Sequence, residues 1–219
     1  MANDPLPGMR FDTGGSGNRD GYETWREILG EFYEVRAPDR AETTNFAASI
    51  MIWNLAGVLL TDGFHTYQRF SRSVGRARRD GFDHYTLSLN RTGVWRGDVG
   101  DSVLESGPGR IRLLDFARPV DAEVTRNDAV TLSFPRDMLD DALPARDLHG
   151  LTLDGPRGGL LAEFLLMLTR RAATLTPATR RMWRPPAGTW SPPASRPRGR
   201  RWKQPNRNST RWLTAGRGG

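Results

Sequence analysis

The chain has 219 residues, no cysteine and a formal net charge of +7 from 32 basic and 25 acidic side chains. That length allows one ordinary domain with appendages or two small ones. The absence of cysteine excludes disulfide scaffolds, thiolate metal sites and cysteine nucleophiles, and three histidines leave little for a histidine-built metal site.

Residues 1–20 are polar and glycine-rich, with no basic start followed by an apolar run. They read as a disordered N-terminus without a secretory signal. The recurrence of Tyr22, Trp25, Ile28, Leu29, Phe32 and Tyr33 at three- and four-residue intervals then predicts one amphipathic helix. From Phe46 the pattern changes to short segments rich in β-branched and aromatic residues: 46–53, 64–74, 84–90, 94–96, 111–114, 121–124 and 129–134. The clearest is His84–Asn90, where Tyr85, Leu87 and Leu89 share one face and Thr86, Ser88 and Asn90 the other. Turn residues separate these segments at Thr61-Asp62-Gly63, Arg91-Thr92-Gly93, Gly97-Asp98 and Ser106-Gly107-Pro108-Gly109. Seven short strands without intervening helices point to an antiparallel sandwich or barrel.

Helix returns after the last strand. Pro135 suits the first turn of a short helix through Met138, Leu139 and Leu143, with Asp137, Asp140 and Asp141 near its start. A long apolar stripe of Leu160, Leu161, Phe164, Leu165, Leu168, Ala172 and Leu175 then predicts a helix from Gly159 to about Thr176. Leu166 and Met167 widen it enough for one face to meet the sheet and another a partner subunit; burial of both faces within one subunit is the alternative. The most apolar stretch of the chain, Ala47–Leu60, is broken by Ser49 and Asn54 and is shorter than the roughly 20 residues of a membrane span, so a cytoplasmic location is the default.

The charge is divided between two unlike parts. Residues 1–176 hold 21 arginines and all 25 acids, a net of −4, whereas 177–219 hold ten arginines, Lys203 and no acid, a net of +11. The pI of about 10.8 therefore belongs to the tail and does not mark the body as a nucleic-acid binder. The tail has seven prolines, four tryptophans and almost no aliphatic residues, so it cannot bury enough apolar surface to fold and reads as disordered.

No catalytic set stands out. His65 and His84 fall in predicted strands, but the His-x-His pair that a cupin metal site needs is missing. Asp98 with Asp101, and Asp137 with Asp140 and Asp141, sit at turn and helix-start positions and not on opposed walls of a cleft. Ser106–Gly109 lacks the strand, helix and lysine context of a phosphate loop. The stretch Arg72–Arg79 reads as a solvated loop between strands, with an anion contact as the functional alternative.

Taken in order, Tyr22-Glu23-Thr24-Trp25-Arg26-Glu27, Arg72–Asp80, His84-Tyr85 with Leu87 and Leu89, Gly93, Leu113-Leu114-Asp115-Phe116-Ala117-Arg118-Pro119 and Leu132-Ser133-Phe134-Pro135-Arg136 resemble the N-terminal effector domain of AraC/XylS-type transcriptional regulators. The likeness covers about residues 21–176, and Leu-Asp-x-x-Arg-Pro at 114–119 is its most specific part together with Phe134-Pro135-Arg136. It implies a cupin-like β-barrel or sandwich followed by dimerisation helices, a small-molecule effector bound in or near the barrel, a homodimer or pairing with intact homologues, and no enzyme activity. Where relatives carry Pro-Gly-Asp, this chain has Gly107-Pro108-Gly109-Arg110. The family's two helix-turn-helix units have no counterpart in residues 177–219.

The expected function is therefore the effector-binding and dimerisation domain of a truncated regulator without specific DNA binding, its tail a frameshift product. Two alternatives stand beside it. One is non-specific nucleic-acid binding through tail residues such as Arg198, Arg200, Arg201 and Lys203. The other is a metal-dependent cupin-type enzyme using His65 or His84. The effector pocket is expected to draw on Trp53, Tyr67, Tyr85 and Trp95, with no metal or cofactor. The motif residues Trp25, Arg26, Asp115, Arg118 and Pro119 are expected to be structural, with Asp115 and Arg118 as an ion pair or turn lock, and Leu161, Phe164, Leu165 and Leu168 to line the dimer helix.

Overall fold

A computed structural model describes residues 8–13, 19–36, 43, 45–55, 57–140 and 147–175. Everything expected of residues 176–219, including the basic tail, lies outside the described residues. In chain order the elements are β1 (Gly8–Asp12), α1 (Arg19–Leu29), β2 (Glu34–Arg36), β3 (Ala48–Leu55), β4 (Val58–His65), β5 (Gln68–Arg72), α2 (Val74–Asp80), β6 (His84–Thr92), β7 (Trp95–Asp98), β8 (Val103–Ser106), β9 (Ile111–Asp115), β10 (Val120–Val124), β11 (Asn127–Pro135), α3 (Asp137–Asp140), β12 (Leu151–Leu153) and α4 (Gly155–Ala172). The strands form two antiparallel sheets, ordered β1-β3-β4-β11-β6-β9-β12 and β2-β5-β10-β7-β8. The expected antiparallel sandwich is what the chain builds.

Three apolar clusters hold it together. On one face of the seven-stranded sheet, Leu60 of β4, Tyr85, Leu87 and Leu89 of β6, Ile111 and Leu113 of β9 and Val130 of β11 pack under Leu165, Leu168 and Ala172 of α4. Between the sheets, Leu114 meets Trp95, Val120, Ala122 and Val124. At the β2 and β3 end, Tyr22 and Trp25 of α1 close over Val35, Phe46 and Ala48. Each large side chain removed from water in this way contributes about 1.5–3 kcal/mol.

Four local features differ from the sequence reading. Gly8–Asp12, assigned to the loose N-terminus, pairs with β3 as an edge strand. Thr61-Asp62-Gly63 is not a turn but the middle of β4, because Asp62 points outward to Arg91 while Gly63 lets β3 approach: a Cβ there would lie 2.2 Å from the Ser49 carbonyl oxygen. The turn is at Gly57 (φ +101°), whose N–H donates to Asn54 Oδ1 at 2.8 Å. The short helix after β11 runs only Asp137–Asp140 among the described residues, with Pro135 still in the strand.

The fourth difference is the basic stretch. Val74–Asp80 is a helix, opened by Ser73 accepting from the Arg76 N–H at 3.2 Å and closed by Gly81 at φ +64°. Arg72 is only 1% exposed, and so is not part of a solvated loop. Its guanidinium makes a two-pronged ion pair with Asp80 (2.7 and 2.8 Å), donates to the carbonyls of Phe116 and Phe32, and lies over the rings of Phe82 and Phe116. It thereby ties β5 to α2, to the end of α1 and to the loop after β9. Removing one partner of a buried pair strands the other charge, at about 3–5 kcal/mol. Asp80→Ala should lower the unfolding free energy by about 3 kcal/mol in urea titration; an unchanged midpoint would contradict this role for the clasp.

Candidate functional site

The two faces of β6 decide where a ligand can sit. Tyr85, Leu87 and Leu89 are covered by α4, so the alternate residues Thr86, Ser88 and Asn90 face the other sheet. The register extends this polarity across neighbouring strands. Arg112 of β9, Ser88, Thr131 of β11, Thr61 of β4 and Ile52 of β3 are successive cross-strand partners. Ser88 and Thr131 share a hydroxyl hydrogen bond of 2.9 Å. Arg112 and Ser88 are buried, whereas Thr131, Thr61 and Ile52 are only half-buried, so this inner face opens towards β3.

The facing sheet supplies a second row. Ser106 of β8, Trp95 of β7, Val124 of β10 and Gln68 of β5 follow one another in register. Gln68 Oε1 accepts from the Trp25 indole at 2.7 Å, which leaves its amide nitrogen unpartnered and buried. Ser106 Oγ is likewise buried without a partner.

Arg112 lies where the two rows meet. One of its nitrogens donates to Asn90 Oδ1 at 2.8 Å, and the guanidinium carbon lies 4.8 Å from the centre of the Trp95 ring. Its Nε is buried without a partner. Among the described residues no carboxylate pairs with it, whereas Arg72, Arg91 and Arg136 each hold at least one. Burial holds the Arg112 pKa down to about 10, the opposite of Arg136, where bonds to Asp115 and Asp83 outweigh burial and raise it. The group stays cationic at neutral pH, so the sandwich contains a desolvated positive charge held, among the described residues, by an amide oxygen and an indole face.

Nearby groups respond to the same environment. Burial pushes the Tyr33 hydroxyl up to about 12 even though Arg112 and Arg72 pull the other way. His65 is lowered to about 4, first by burial and further by Arg112, against a hydrogen bond to the Thr66 carbonyl. It is therefore neutral at pH 7.

Of the four aromatic residues expected around an effector, only Trp95 faces the space between the sheets. Trp53 and Tyr85 point to the opposite face of their sheet, beneath α4, because the period-two phase of their strands places them with Leu60 and Leu87. Tyr67 lies between β4 and β5 and donates to Glu123 at 3.1 Å near the surface. The sequence reading missed Arg112, Asn90, Gln68 and Ser106. The polar side of His84–Asn90 was the available signal, since β6 is an interior strand of its sheet and both its sides are buried.

The motif residues have separate partners. Trp25 reaches Gln68, and Arg26 pairs at the surface with Glu23 at 3.3 Å. Asp115 accepts from the Ala117 N–H at 2.8 Å and from Arg136, joining the 114–119 motif to the Phe134-Pro135-Arg136 motif. Arg118, just before Pro119, pairs with Asp147; its only link to Asp115 is a backbone turn bond of 3.0 Å, so no side-chain pair joins those two. His84 lies beside Phe82 at the end of β6, away from His65. Among the described residues no group of three histidine or carboxylate side chains is placed to hold a metal, and no helix is long and apolar enough to cross a membrane.

The sequence matches the AraC-binding-like domain over residues 30–186, more than half of the chain. The chain belongs to that family. Its fold is that of the AraC-like transcriptional activator CuxR, with a TM-score of 0.72 at 22% identity over 80% of this chain and 66% of that one. This AraC-binding-like chain thus spans just under two thirds of that structure's length. Looser overlaps are found with oxalate decarboxylase from Bacillus subtilis (TM-score 0.29, 9% identity, 56% and 34% coverage) and vicilin from Corylus avellana (0.24, 13%, 62% and 47%). No curated protein matches the sequence.

The lowered His65 pKa has a consequence for pH dependence. A histidine near 6.5 when unfolded and near 4 when folded is proton-free in both states above pH 6.5 and charges first in the unfolded chain below it. Stability should therefore fall as pH drops from 6.5 towards 4, with up to about 3 kcal/mol from this residue. Subtracting the His65→Asn profile from the wild-type urea profile isolates the effect; parallel profiles over that range would contradict it.

Proposed function

We propose that this chain is the effector-binding and dimerisation unit of an AraC-type transcriptional regulator, with the effector taken up between the two sheets. The observation that carries this reading is the contrast between the faces of the larger sheet. One is apolar and closed by α4; the other carries hydroxyls, an amide and a guanidinium with unspent donors. A sheet selected only for stability has no use for such an interior, since buried polar groups cost free energy unless they are matched. This reading assigns the chain no catalytic step.

Support for dimerisation comes from α4. Leu165 and Leu168 are buried on the sheet and Leu161 packs beside them, so these three of the expected dimer residues are already used within the subunit. The other side of the helix exposes Leu160 (75%), Phe164 and Met167 (46%), spaced by four and three residues. A second copy of this chain, presenting the same stripe, is the occupant proposed. The truncation and frameshift reading of residues 177–219 rests on composition alone, and so does the alternative of non-specific nucleic-acid binding by that tail.

Two measurements test this. A thermal-shift screen of small metabolites against the full chain should find compounds that stabilise it, and Ser88→Leu, which fills the inner face, should abolish their effect; an equal response in Ser88→Leu would place the site elsewhere. In sedimentation, the wild-type chain should form a dimer and Leu160→Glu a folded monomer that still unfolds cooperatively. A wild-type monomer at micromolar concentration would overturn the dimer role of α4.

A further inference from the structure

We infer that the effector is a small organic monocarboxylate with an apolar body, its carboxylate bound by Arg112 and the body lying against Trp95, Phe70 and Leu114. This names the ligand class for the site proposed above and rests on that reading.

Hydrogen-bonding groups are out of balance between the sheets. Around the inner face, the buried groups left unspent are mainly donors: Arg112 Nε, the Gln68 amide nitrogen and the Ser106 hydroxyl. Asn127 Oδ1, at the far end of β11, is the one buried acceptor without a partner among the described residues of these two inner faces. A site with more donors than acceptors suits a ligand group that only accepts, which is what an ionised carboxylate is. An Arg fork matches its two oxygens, and Asn90 fixes the guanidinium by occupying one nitrogen while leaving Nε available.

Charge is out of balance in the same place. Arg72 is committed to Asp80, and His65 is uncharged at neutral pH, so Arg112 supplies a single positive charge to this space. A monoanion brings the sum to zero. A phosphate dianion would leave a buried negative charge with no second cation to meet it, so the charge count selects a carboxylate over a phosphate monoester.

The surface beside the charge is apolar and aromatic. Trp95 and Leu114 belong to the cluster between the sheets, with Tyr33 and Phe70 packed against it, and the Phe70 ring also lies 5.4 Å from Tyr33 and 5.7 Å from His65. One polar end and one aromatic wall describe an amphiphilic ligand with its charge at the tip.

The probes are 3-phenylpropionate and cyclohexanecarboxylate, each paired with its primary amide, used on the full chain in thermal-shift and calorimetric titrations. Both carboxylates should stabilise the protein while the amides do not, and Arg112→Met should weaken carboxylate binding by roughly ten- to a hundred-fold. Arg112→Gln, which keeps a donor for Asn90 without the charge, should give the same loss and serves where the Met variant does not fold. Equal stabilisation by the amides, or full carboxylate binding by the neutral variants, would overturn the anion assignment while leaving a small-molecule sensor intact. No response to any probe, alongside hits in the metabolite screen, would overturn it in the same way; an empty screen as well would remove the sensor reading itself.

Discussion

Tyr85, Leu87 and Leu89 point one way and Thr86, Ser88 and Asn90 the other because strand side chains alternate, and β6 lies between β11 and β9 near the middle of a seven-stranded sheet. Everything else follows from how these two sides are covered. The apolar side takes α4, whose Leu165, Leu168 and Ala172 complete a dry core. The polar side cannot be treated in that way, so the chain lays a second sheet of five strands across it. The largest apolar cluster thus lies outside the sandwich, on the α4 side, while the interior combines smaller apolar clusters with polar groups that a core built for stability alone would reject.

The arginines show the same division of labour. Arg72, Arg136 and Arg91 each neutralise their charge on neighbouring carboxylates and each joins separate elements: β5 to α2, the residue after β11 to the end of β9, and β6 to β4 and β11. Arg112 links β9 to Asn90 of β6 and to the Trp95 ring of β7, but among the described residues it meets no carboxylate. A charge taken out of water without a partner costs several kcal/mol, and here only Asn90 and the Trp95 ring offset it. Such an uncompensated group is retained where something else completes it, which connects the energetic cost in the free protein to recognition of a ligand.

Much of the fold was legible in the sequence. Period-two patterns located β6, β9, β10 and β11 closely, and the three-and-four stripe located α1 and α4. What was missed has identifiable causes. β4 was hidden because Thr61-Asp62-Gly63 carries turn chemistry that is spent on a surface ion pair and a close strand approach. The helix α2 was hidden by its charges, although Ser73 before it and Gly81 after it are ordinary start and stop signals. Trp53, Tyr67, Tyr85 and Trp95 are candidates as inward-facing barrel positions, and the sequence does not fix the phase of their strands. Alternation showed that Tyr85 and Ser88 lie on opposite faces, but not which face a helix 70 residues later would cover; that is settled by tertiary packing.

A ligand between the sheets and one beneath α4 would touch opposite faces of the large sheet. The tryptophans report this directly, since Trp95 and Trp25 line the inner space and Trp53 the outer core. Fluorine NMR of the 5-fluorotryptophan-labelled chain, titrated with a carboxylate that stabilises it, should move the Trp95 resonance most and leave Trp53 in place. A shift at Trp53 with Trp95 unmoved would put the ligand under α4 and contradict the account.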